Sequence, residues 1–274
     1  MPLNVNEHPR QSELGQWVYP VKSRRAGGLS LGLNVNSDQR CSFDCVYCQV
    51  RREGTEAHPN PSVESILAEV HSFLQSYQKN GNWQGMTLQD ISIAGDGEPT
   101  LYKELPQLLG ALLDLRIQLD LPVRLVLFTN ATQLDRADLD PLWPRFFAEG
   151  GEVWAKLDSW DQASFWRLHG KAAHQQKVIN HLLTLGRQYP LVIQSCFFRP
   201  SADEEFDENW LDSWVSQMNW LVEQGLKVAK IQAYTLARPT KEQGLVPYDD
   251  DDMRHIGDQI RAETGQPVEV YFSK

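Results

Sequence analysis

Three cysteines stand within eight residues, in the segment Cys41-Ser-Phe-Asp-Cys45-Val-Tyr-Cys48, with the spacing C-x3-C-x2-C. The chain has four cysteines in all. This crowding does not suit a disulfide framework, and a reducing cytosol would keep the thiols free. Three thiolates on one short loop can wrap a soft-metal centre. An iron–sulfur cubane usually takes four protein thiolates, so three would leave one iron open to another ligand.

Structural zinc is an alternative reading of the same loop. A closed zinc site normally has four ligands, and His58, ten residues after Cys48, could complete a Cys3His set. The fourth cysteine, Cys196, lies far away in an apolar stretch, which is typical of a small buried hydrophobe. Structural zinc sites usually present their ligands as paired knuckles, so the pattern favours an iron–sulfur centre.

The elements that position this loop alternate along the chain between short apolar stretches and longer amphipathic ones. The first predicted strand, 29–36, has Leu29, Leu31, Leu33 and Val35 at period two and ends just before the loop. Alternating strands and helices predict a parallel sheet with helices outside it. Six such units before a last strand predict an α/β fold, a parallel (βα)6 partial barrel. The further strands are predicted at 91–94, 123–128, 153–157, 191–198, 228–233 and 268–272.

Polar residues gather where these strands end, which is where parallel α/β folds bind their ligands. Gly95-Asp96-Gly97-Glu98-Pro99-Thr100 follows the second strand. Its glycines permit positive φ and close approach of the backbone to a ligand, and Glu98 is available to an ammonium group. An ordinary turn, with Glu98 near a helix N-terminus, is the alternative. Asn130, after the third strand, could bond a ligand or cap the next turn.

The fourth strand ends on Lys156-Leu157-Asp158-Ser159. A lysine in an apolar strand is paired or functional, because an unpaired buried charge is costly. Strand alternation puts Lys156 and Asp158 on one face, where they form either a cofactor site or a structural ion pair. The fifth and sixth strands carry Gln194, Gln232 and Tyr234.

The cysteine loop, with Tyr47 before its last cysteine, resembles the signature of the radical S-adenosylmethionine (SAM) superfamily. The resemblance implies that Cys41, Cys45 and Cys48 hold a [4Fe–4S] cluster whose open iron chelates the amino and carboxylate groups of SAM, and that Tyr47 contacts the nucleoside. The segment Gly95, Asp96, Gly97, Glu98 resembles the superfamily's Gly-Gly-Glu motif, which binds the methionine amino group. The resemblance also implies SAM contacts from the later strand ends, through Asn130, Lys156, Asp158, Ser159, Gln194, Gln232 and Tyr234.

Taken together, these motifs and Gln-Ala-Tyr-Thr-Leu-Ala-Arg-Pro are similar to the branch related to wyosine-base-forming tRNA enzymes. The resemblance covers roughly residues 24–240, and implies a core domain of the radical SAM type there. It leaves an N-terminal extension at 1–23 and a C-terminal helix–strand extension at 241–274. The tRNA enzymes use additional cysteines for a second cluster, and here only Cys196 remains. With a net charge of −10, this favours a small-molecule substrate over tRNA or protein.

The activity that the resemblance implies is that of an oxidoreductase-type radical enzyme. It would cleave SAM reductively to a 5′-deoxyadenosyl radical, which abstracts hydrogen from a substrate that the sequence does not identify. An external one-electron donor, of flavodoxin or ferredoxin type, would supply the electron. The alternatives are an activase that installs a radical on a partner protein, a tRNA-modifying enzyme, and a non-catalytic iron–sulfur or zinc protein. The sequence assigns no role to Arg24, Arg25 or Arg238.

Composition sets the remaining expectations. Hydrophobic residues make up 41% of the chain, enough for a sizeable core. The apolar runs are only strand-length, so we expect no membrane span. The polar N-terminus lacks the apolar stretch of a signal peptide, which predicts a cytoplasmic protein.

Overall fold

The computed structural model describes residues 15–50, 58–170 and 172–273. Within them the chain forms two compact units. The first comprises residues 15–41, 58–129 and 136–153, and the second comprises residues 42–50, 130–135, 154–170 and 172–273.

The first unit contains β1 (Val18–Ser23), β2 (Gly28–Leu33), β3 (Leu88–Ile93) and β4 (Arg124–Thr129). β2, β3 and β4 are parallel, with Leu31 beside Ile91 and Ile91 beside Leu125. β1 runs antiparallel to β2. We did not predict β1, because Pro20 interrupts its apolar pattern; proline is tolerated there because β1 lies at the edge of the described sheet.

The strand predicted at 29–36 ends earlier, at Leu33. The side chain of Asn34 accepts a hydrogen bond from the N–H of Asn36, which turns the chain out of the extended conformation. The cysteine loop therefore begins after a short polar turn.

The helices of the first unit are α1 (Val63–Asn80), a 3-10 turn (Pro99–Leu101), α2 (Leu105–Gln118) and α3 (Trp143–Ala148). The helical spacing of apolar residues after Ser62 predicts a helix that starts there, and α1 does begin at the cap Ser62, whose side chain accepts from the N–H of Ser65. The sequence around 137–148 predicts a helix broken by Pro141 and Pro144, and the observed α3 is shorter than that range. It begins after Pro141 and carries Pro144 in its first turn, where proline is tolerated.

The second unit contains most strands of the later half of the chain. β5 (Gly151–Lys156) begins in the first unit and ends in the second. β5, β6 (Leu191–Cys196), β8 (Val228–Tyr234) and β10 (Val268–Tyr271) are parallel neighbours in that order. The two-residue strands β7 (Phe198–Arg199) and β9 (Val246–Pro247) pair with each other and are too short to show a periodic pattern. The helices are α4 (Gln162–His169), α5 (Gln175–Gly186), α6 (Trp210–Glu223) and α7 (Asp250–Thr264).

The register of the second unit aligns polar residues in one row. Lys156 lies beside Gln194, Gln194 beside Gln232, and Gln232 beside Glu269. Two residues further along the same face, Cys196, Tyr234 and Tyr271 form the next row. The carboxyl ends of these strands therefore present polar and aromatic groups on one face.

The predicted alternation of strands and helices is confirmed. β1 lies within the predicted N-terminal extension, of which residues 1–14 are outside the described residues. α7 and β10 lie within the predicted C-terminal extension, and β10 pairs with β8. Every helix in the described part of the chain is too short or too polar to cross a membrane.

Candidate metal and cofactor site

The cysteine loop of the second unit is held by backbone hydrogen bonds to the end of α4. The N–H of Asp44 donates to the carbonyl of His169 at 2.9 Å, and the N–H of Val46 donates to the carbonyl of Leu168 at 3.0 Å. The last carbonyls of a helix have no partner within it, so the loop provides donors that the helix end needs.

A later segment holds the same loop from another side. The carbonyl of Cys48 accepts the N–H of Lys241 at 2.8 Å, and that of Val46 accepts the N–H of Glu242 at 2.9 Å. The ammonium of Lys241 lies 2.6 Å from a carboxylate oxygen of Asp44.

The start of the loop is bonded to the segment after β4. Asn130 is buried; its Nδ2 donates to the hydroxyl of Ser42 at 3.0 Å, and its Oδ1 accepts the N–H of Thr132 at 3.1 Å. The hydroxyls of Ser42 and Thr132 are 2.5 Å apart. Asn130 therefore caps a turn, as one of its two interpretations expected, and at the same time orients the cysteine loop.

No disulfide bond involves any of the four cysteines, all of which lie in the described part of the chain. Cys45 is buried, and Cys41 and Cys48 are half-buried. Cys41 belongs to the first unit, whereas Cys45 and Cys48 belong to the second. Soft sulfur donors of this kind suit an iron–sulfur cluster. No three His, Cys, Asp or Glu side chains of the described residues converge as ligands of one metal ion. A cluster does not need that convergence, because its cysteines bind different irons.

The zinc alternative has no geometric support from His58. That residue is exposed, and its N–H donates to the carbonyl of Ser37 at 3.0 Å.

Tyr47 is buried and its hydroxyl donates to Oδ2 of Asp158. The other oxygen of Asp158 accepts the N–H of Cys196 at 2.7 Å. Burial raises the pKa of Tyr47 well above its ordinary value, and the charge of Asp158 raises it further. Tyr47 is therefore a neutral phenol in a fixed orientation.

Lys156 approaches the same phenol. Its Nζ lies 3.2 Å from the hydroxyl of Tyr47, 3.3 Å from that of Tyr234 and 4.7 Å from the centre of the Tyr47 ring. Burial alone would lower the pKa of Lys156, but Tyr234 and then Asp158 outweigh it and raise this pKa. The predicted same-face pair is thus connected through Tyr47, in the order Lys156 to Tyr47 to Asp158.

His169, to which the sequence assigned no role, also belongs to this cluster. It is 2% exposed, with Nδ1 3.3 Å from the sulfur of Cys45 and Nε2 3.6 Å from Oδ2 of Asp158. Its ring stacks on Phe43 with centroids 4.5 Å apart. Burial lowers the pKa of His169 to about 4, Asp158 opposes the shift and Lys156 adds to it, so the imidazole is neutral. The separation of 124 residues from Cys45 left no local signal.

The polar row of the sheet continues away from Lys156. Nε2 of Gln194 donates to Oε1 of Gln232 at 2.8 Å, and Nε2 of Gln232 donates to Glu269 at 3.4 Å. Sequence reasoning missed Glu269, which also binds Lys230 at 3.0 Å. Ser159, the remaining predicted residue of this unit, is buried.

Glu98 of the first unit is 2% exposed. Its Oε1 accepts hydrogen bonds from the N–H of Thr100 at 3.1 Å, the hydroxyl of Thr100 at 2.5 Å and the hydroxyl of Thr129 at 2.6 Å. Neutral donors thus hold this carboxylate in place.

The glycines beside Glu98 are required for close approach and not for an unusual φ. Neither Gly95 nor Gly97 has positive φ, so that part of the expectation was wrong. A Cβ on Gly97 would lie 1.9 Å from the carbonyl oxygen of Arg40, and one on Gly95 would lie 2.3 Å from Oδ1 of Asn36. A Cβ on Gly97 would require the backbone to shift, and one on Gly95 would require the side chain of Asn36 to move.

Two asparagines of the turn after β2 face this segment. Asn34 donates to Asp96 at 2.8 Å and accepts its N–H at 3.0 Å. Asn36 is 1% exposed, and within the described residues neither its Oδ1 nor its Nδ2 has a hydrogen-bond partner. An unsatisfied buried amide beside Gly95 and Gly97 fits a segment that binds a polar ligand group.

The three arginines to which the sequence assigned no role, Arg24, Arg25 and Arg238, have different surroundings. Arg24 is half-buried, and burial and Arg25 lower its pKa. The guanidinium of Arg25 lies 5.4 Å from the ring centre of Phe128. Arg238 is half-buried.

Comparison with known proteins matches residues 35–208 to the model of the Radical SAM superfamily. A Brachyspira hyodysenteriae protein named GTPase Obg is 31% identical over 140 residues, which cover 50% of this chain and 19% of that protein. A UPF0026 protein of Synechocystis is 32% identical over 140 residues, which cover 46% of this chain and 48% of that protein. The matches thus span less than half the length of either relative.

A crystal structure of a radical SAM methyltransferase from Sphaerobacter thermophilus superimposes on 93% of this chain and 69% of its own, with a TM-score of 0.67 and 13% identity. At that identity the likeness shows the fold alone, and it confirms the predicted α/β fold class. The superfamily consists of enzymes that use a [4Fe–4S] cluster and SAM and need an external electron donor. The family match covers most of the chain, including the cysteine loop and the strand-end residues described above for β3, β4, β5 and β6, and so the chain belongs to the radical SAM superfamily.

Proposed function

We propose that this chain cleaves SAM reductively at a [4Fe–4S] cluster held by Cys41, Cys45 and Cys48, and that the resulting 5′-deoxyadenosyl radical abstracts hydrogen from a small-molecule substrate. The observation that carries the proposal is the C-x3-C-x2-C loop, which lies inside the family match and whose cysteines form no disulfide. When bound, the cluster supplies the electron that breaks a carbon–sulfur bond of SAM.

Residues that follow β3 and β4 would bind the methionine end of SAM. Glu98 would pair its carboxylate with the ammonium group, while Thr100 and Thr129 keep that carboxylate in position. Gly95, Asp96 and Gly97 would offer backbone groups at short range, since no side chain shields them at the two glycines.

Residues of the cysteine loop and of the later strand ends would bind the nucleoside. The Tyr47 ring would contact adenine, and its orientation is set by the hydrogen bond to Asp158 and by Lys156. The residues that we propose as further contacts are Asn130, Lys156, Asp158, Ser159, Gln194, Gln232 and Tyr234.

Aromatic packing in the second unit would keep water from the reactive carbon. The Tyr47 ring lies 5.3 Å from Phe198, and Phe43 lies 5.3 Å from Phe165. Exclusion of water protects a reactive radical from side reactions. The residues of the chain thereby orient and shield the cofactor.

The setting and partners follow from the chemistry and the charge. A flavodoxin- or ferredoxin-type protein would deliver one electron, and a cytoplasmic location would keep the thiols reduced. The net charge of −10 favours a small-molecule substrate. The resemblance of the motifs to the wyosine branch favours a second candidate, tRNA modification, which predicts RNA binding that weakens steeply with salt.

The test is formation of 5′-deoxyadenosine by anaerobically reconstituted protein with dithionite and SAM. We expect product from the wild type and from Cys196→Ala, and none from Cys45→Ala. Cys196→Ala is the matched control because it removes a thiol outside the loop. Lack of product from wild-type protein with a full complement of iron and sulfide would overturn the proposal in favour of a non-catalytic metal protein.

A further inference from the structure

We propose that His169 is a positioning residue for the metal centre, whose Nδ1–H donates a hydrogen bond to the Cys45 sulfur and makes the centre easier to reduce. The inference rests on the proposed function, since it assumes that Cys45 is a cluster ligand. It adds a residue outside the cysteine loop and outside the strand-end motifs.

The contact is direct and enclosed. Nδ1 of His169 lies 3.3 Å from the sulfur of Cys45, within hydrogen-bonding range for sulfur. The imidazole is 2% exposed, stacks on Phe43 and meets the edge of Phe165 with centroids 5.0 Å apart. Water therefore does not compete for the imidazole, and the low local dielectric strengthens the interaction.

The proton position follows from the two neighbours of the ring. A metal-bound cysteine is a thiolate, which accepts a hydrogen bond but cannot donate one. The nitrogen facing the Cys45 sulfur must then carry the proton. On the other side, Nε2 is 3.6 Å from Oδ2 of Asp158, too far for a good hydrogen bond, and that oxygen already accepts from Tyr47. Nothing at Nε2 therefore competes for the proton.

The hydrogen bond from His169 should raise the reduction potential of the cluster. Reduction adds negative charge to the cluster and its sulfur ligands, and a hydrogen-bond donor to a ligand sulfur stabilises that charge. The reduction potential is therefore higher with the donor than without it. The side chain can be exchanged without losing the loop anchor, because Asp44 bonds the backbone carbonyl of His169.

The decisive variants are His169→Phe and His169→Asn. Phe keeps an aromatic ring against Phe43 and Phe165 but removes the donor, while the side-chain amide of Asn can present an N–H near the position of Nδ1. At the potential where the wild-type cluster is half reduced, we expect a reduced-to-oxidised ratio on the order of tenfold lower for His169→Phe, about 59 mV for one electron. We expect His169→Asn to restore most of the ratio. The readout is an anaerobic redox titration followed by electron paramagnetic resonance (EPR).

A second measurement uses the wild type alone, should a variant fail to fold or load iron. Pulsed EPR of reduced protein labelled with 15N-histidine should resolve coupling to one histidine nitrogen. Absence of the coupling, or an unchanged ratio in His169→Phe that still forms 5′-deoxyadenosine, would overturn the role of His169 and leave the proposed function intact. Failure of the wild type to hold a cluster would instead overturn the proposed function.

Discussion

Glu98 in the first unit and Asp158 in the second are both 2% exposed, but their carboxylates are stabilised by different kinds of partner. Glu98 accepts from two threonine hydroxyls and one N–H; Thr100 is two residues away and Thr129 is 31 residues away. Asp158 accepts from the Tyr47 phenol, 111 residues away, and from the N–H of Cys196, 38 residues away.

The difference matters when a carboxylate is removed. Threonine hydroxyls can rotate towards another acceptor, whereas a packed tyrosine and a strand N–H cannot. We therefore expect the protein to tolerate loss of the Glu98 carboxylate better than loss of the Asp158 carboxylate. The contact of Glu98 with Thr100 is also visible in the local sequence, whereas the contacts with Thr129, Tyr47 and Cys196 are not.

The largest effect that this comparison predicts is for Asp158→Ala. It removes the buried acceptor to which both the Tyr47 hydroxyl and the Cys196 N–H donate, so we expect the free energy of unfolding to fall by about 2–5 kcal/mol. Urea denaturation measures the loss. If Asp158→Ala lost no more unfolding free energy than Glu98→Ala, the proposed difference between the two carboxylates would be contradicted.

A third buried carboxyl group, that of Asp90, extends the comparison, because we expect it to make the free energy of unfolding depend on pH. Burial raises the pKa of Asp90 to about 6, and the hydrogen bond from Ser30 and the charge of Arg124 offset only part of this. The folded state then binds the proton more tightly than the unfolded state. The stability that this proton contributes is present below pH 4 and is lost as pH rises through 6, by about 3 kcal/mol in total.

The check on Asp90 is a set of urea transitions at pH 4, 5, 6 and 7 for wild type and Asp90→Asn. The variant should not show this fall. Curves for the two proteins that stay parallel over the whole range would show that Asp90 does not titrate with a raised pKa.

Substitution of the glycines beside Glu98 should lower stability by less, and Gly95→Ala serves as the control for Gly97→Ala. Gly97→Ala places a Cβ against the backbone carbonyl of Arg40, so we expect a loss of about 1–3 kcal/mol of unfolding free energy. Gly95→Ala meets only the side chain of Asn36, which can move, and should cost less. The same order should appear in SAM affinity by equilibrium dialysis; the reverse order in both would argue against close backbone approach at Gly97.

The smallest effect on stability is expected for Glu98→Gln. Glutamine keeps an acceptor oxygen for the two threonines, so unfolding free energy should change by about 1 kcal/mol or less. Loss of the negative charge should nevertheless weaken SAM binding about tenfold. Calorimetry that finds unchanged affinity would remove Glu98 from the site and leave it as a turn residue.

The same contrast explains how much the sequence could predict. The α/β alternation and the start of α1 near Ser62 depend on nearby residues, and they were predicted correctly. The cysteine motif is equally local in the sequence, and its role as a cluster ligand stays a prediction. The Pro20-containing strand β1 and the short pair of β7 and β9 were missed, because their patterns are interrupted or too brief. His169, Asn36 and Glu269 were missed for another reason: each joins the site only through register or packing between distant segments.

The most direct test of the central claim is EPR of the dithionite-reduced, anaerobically reconstituted protein before and after addition of SAM. If Cys41, Cys45 and Cys48 hold a cluster with one open iron, SAM will bind that iron and shift the spectrum of the wild type, and Cys45→Ala will show no such signal. A fully loaded wild-type cluster whose spectrum is unchanged by saturating SAM would contradict the account.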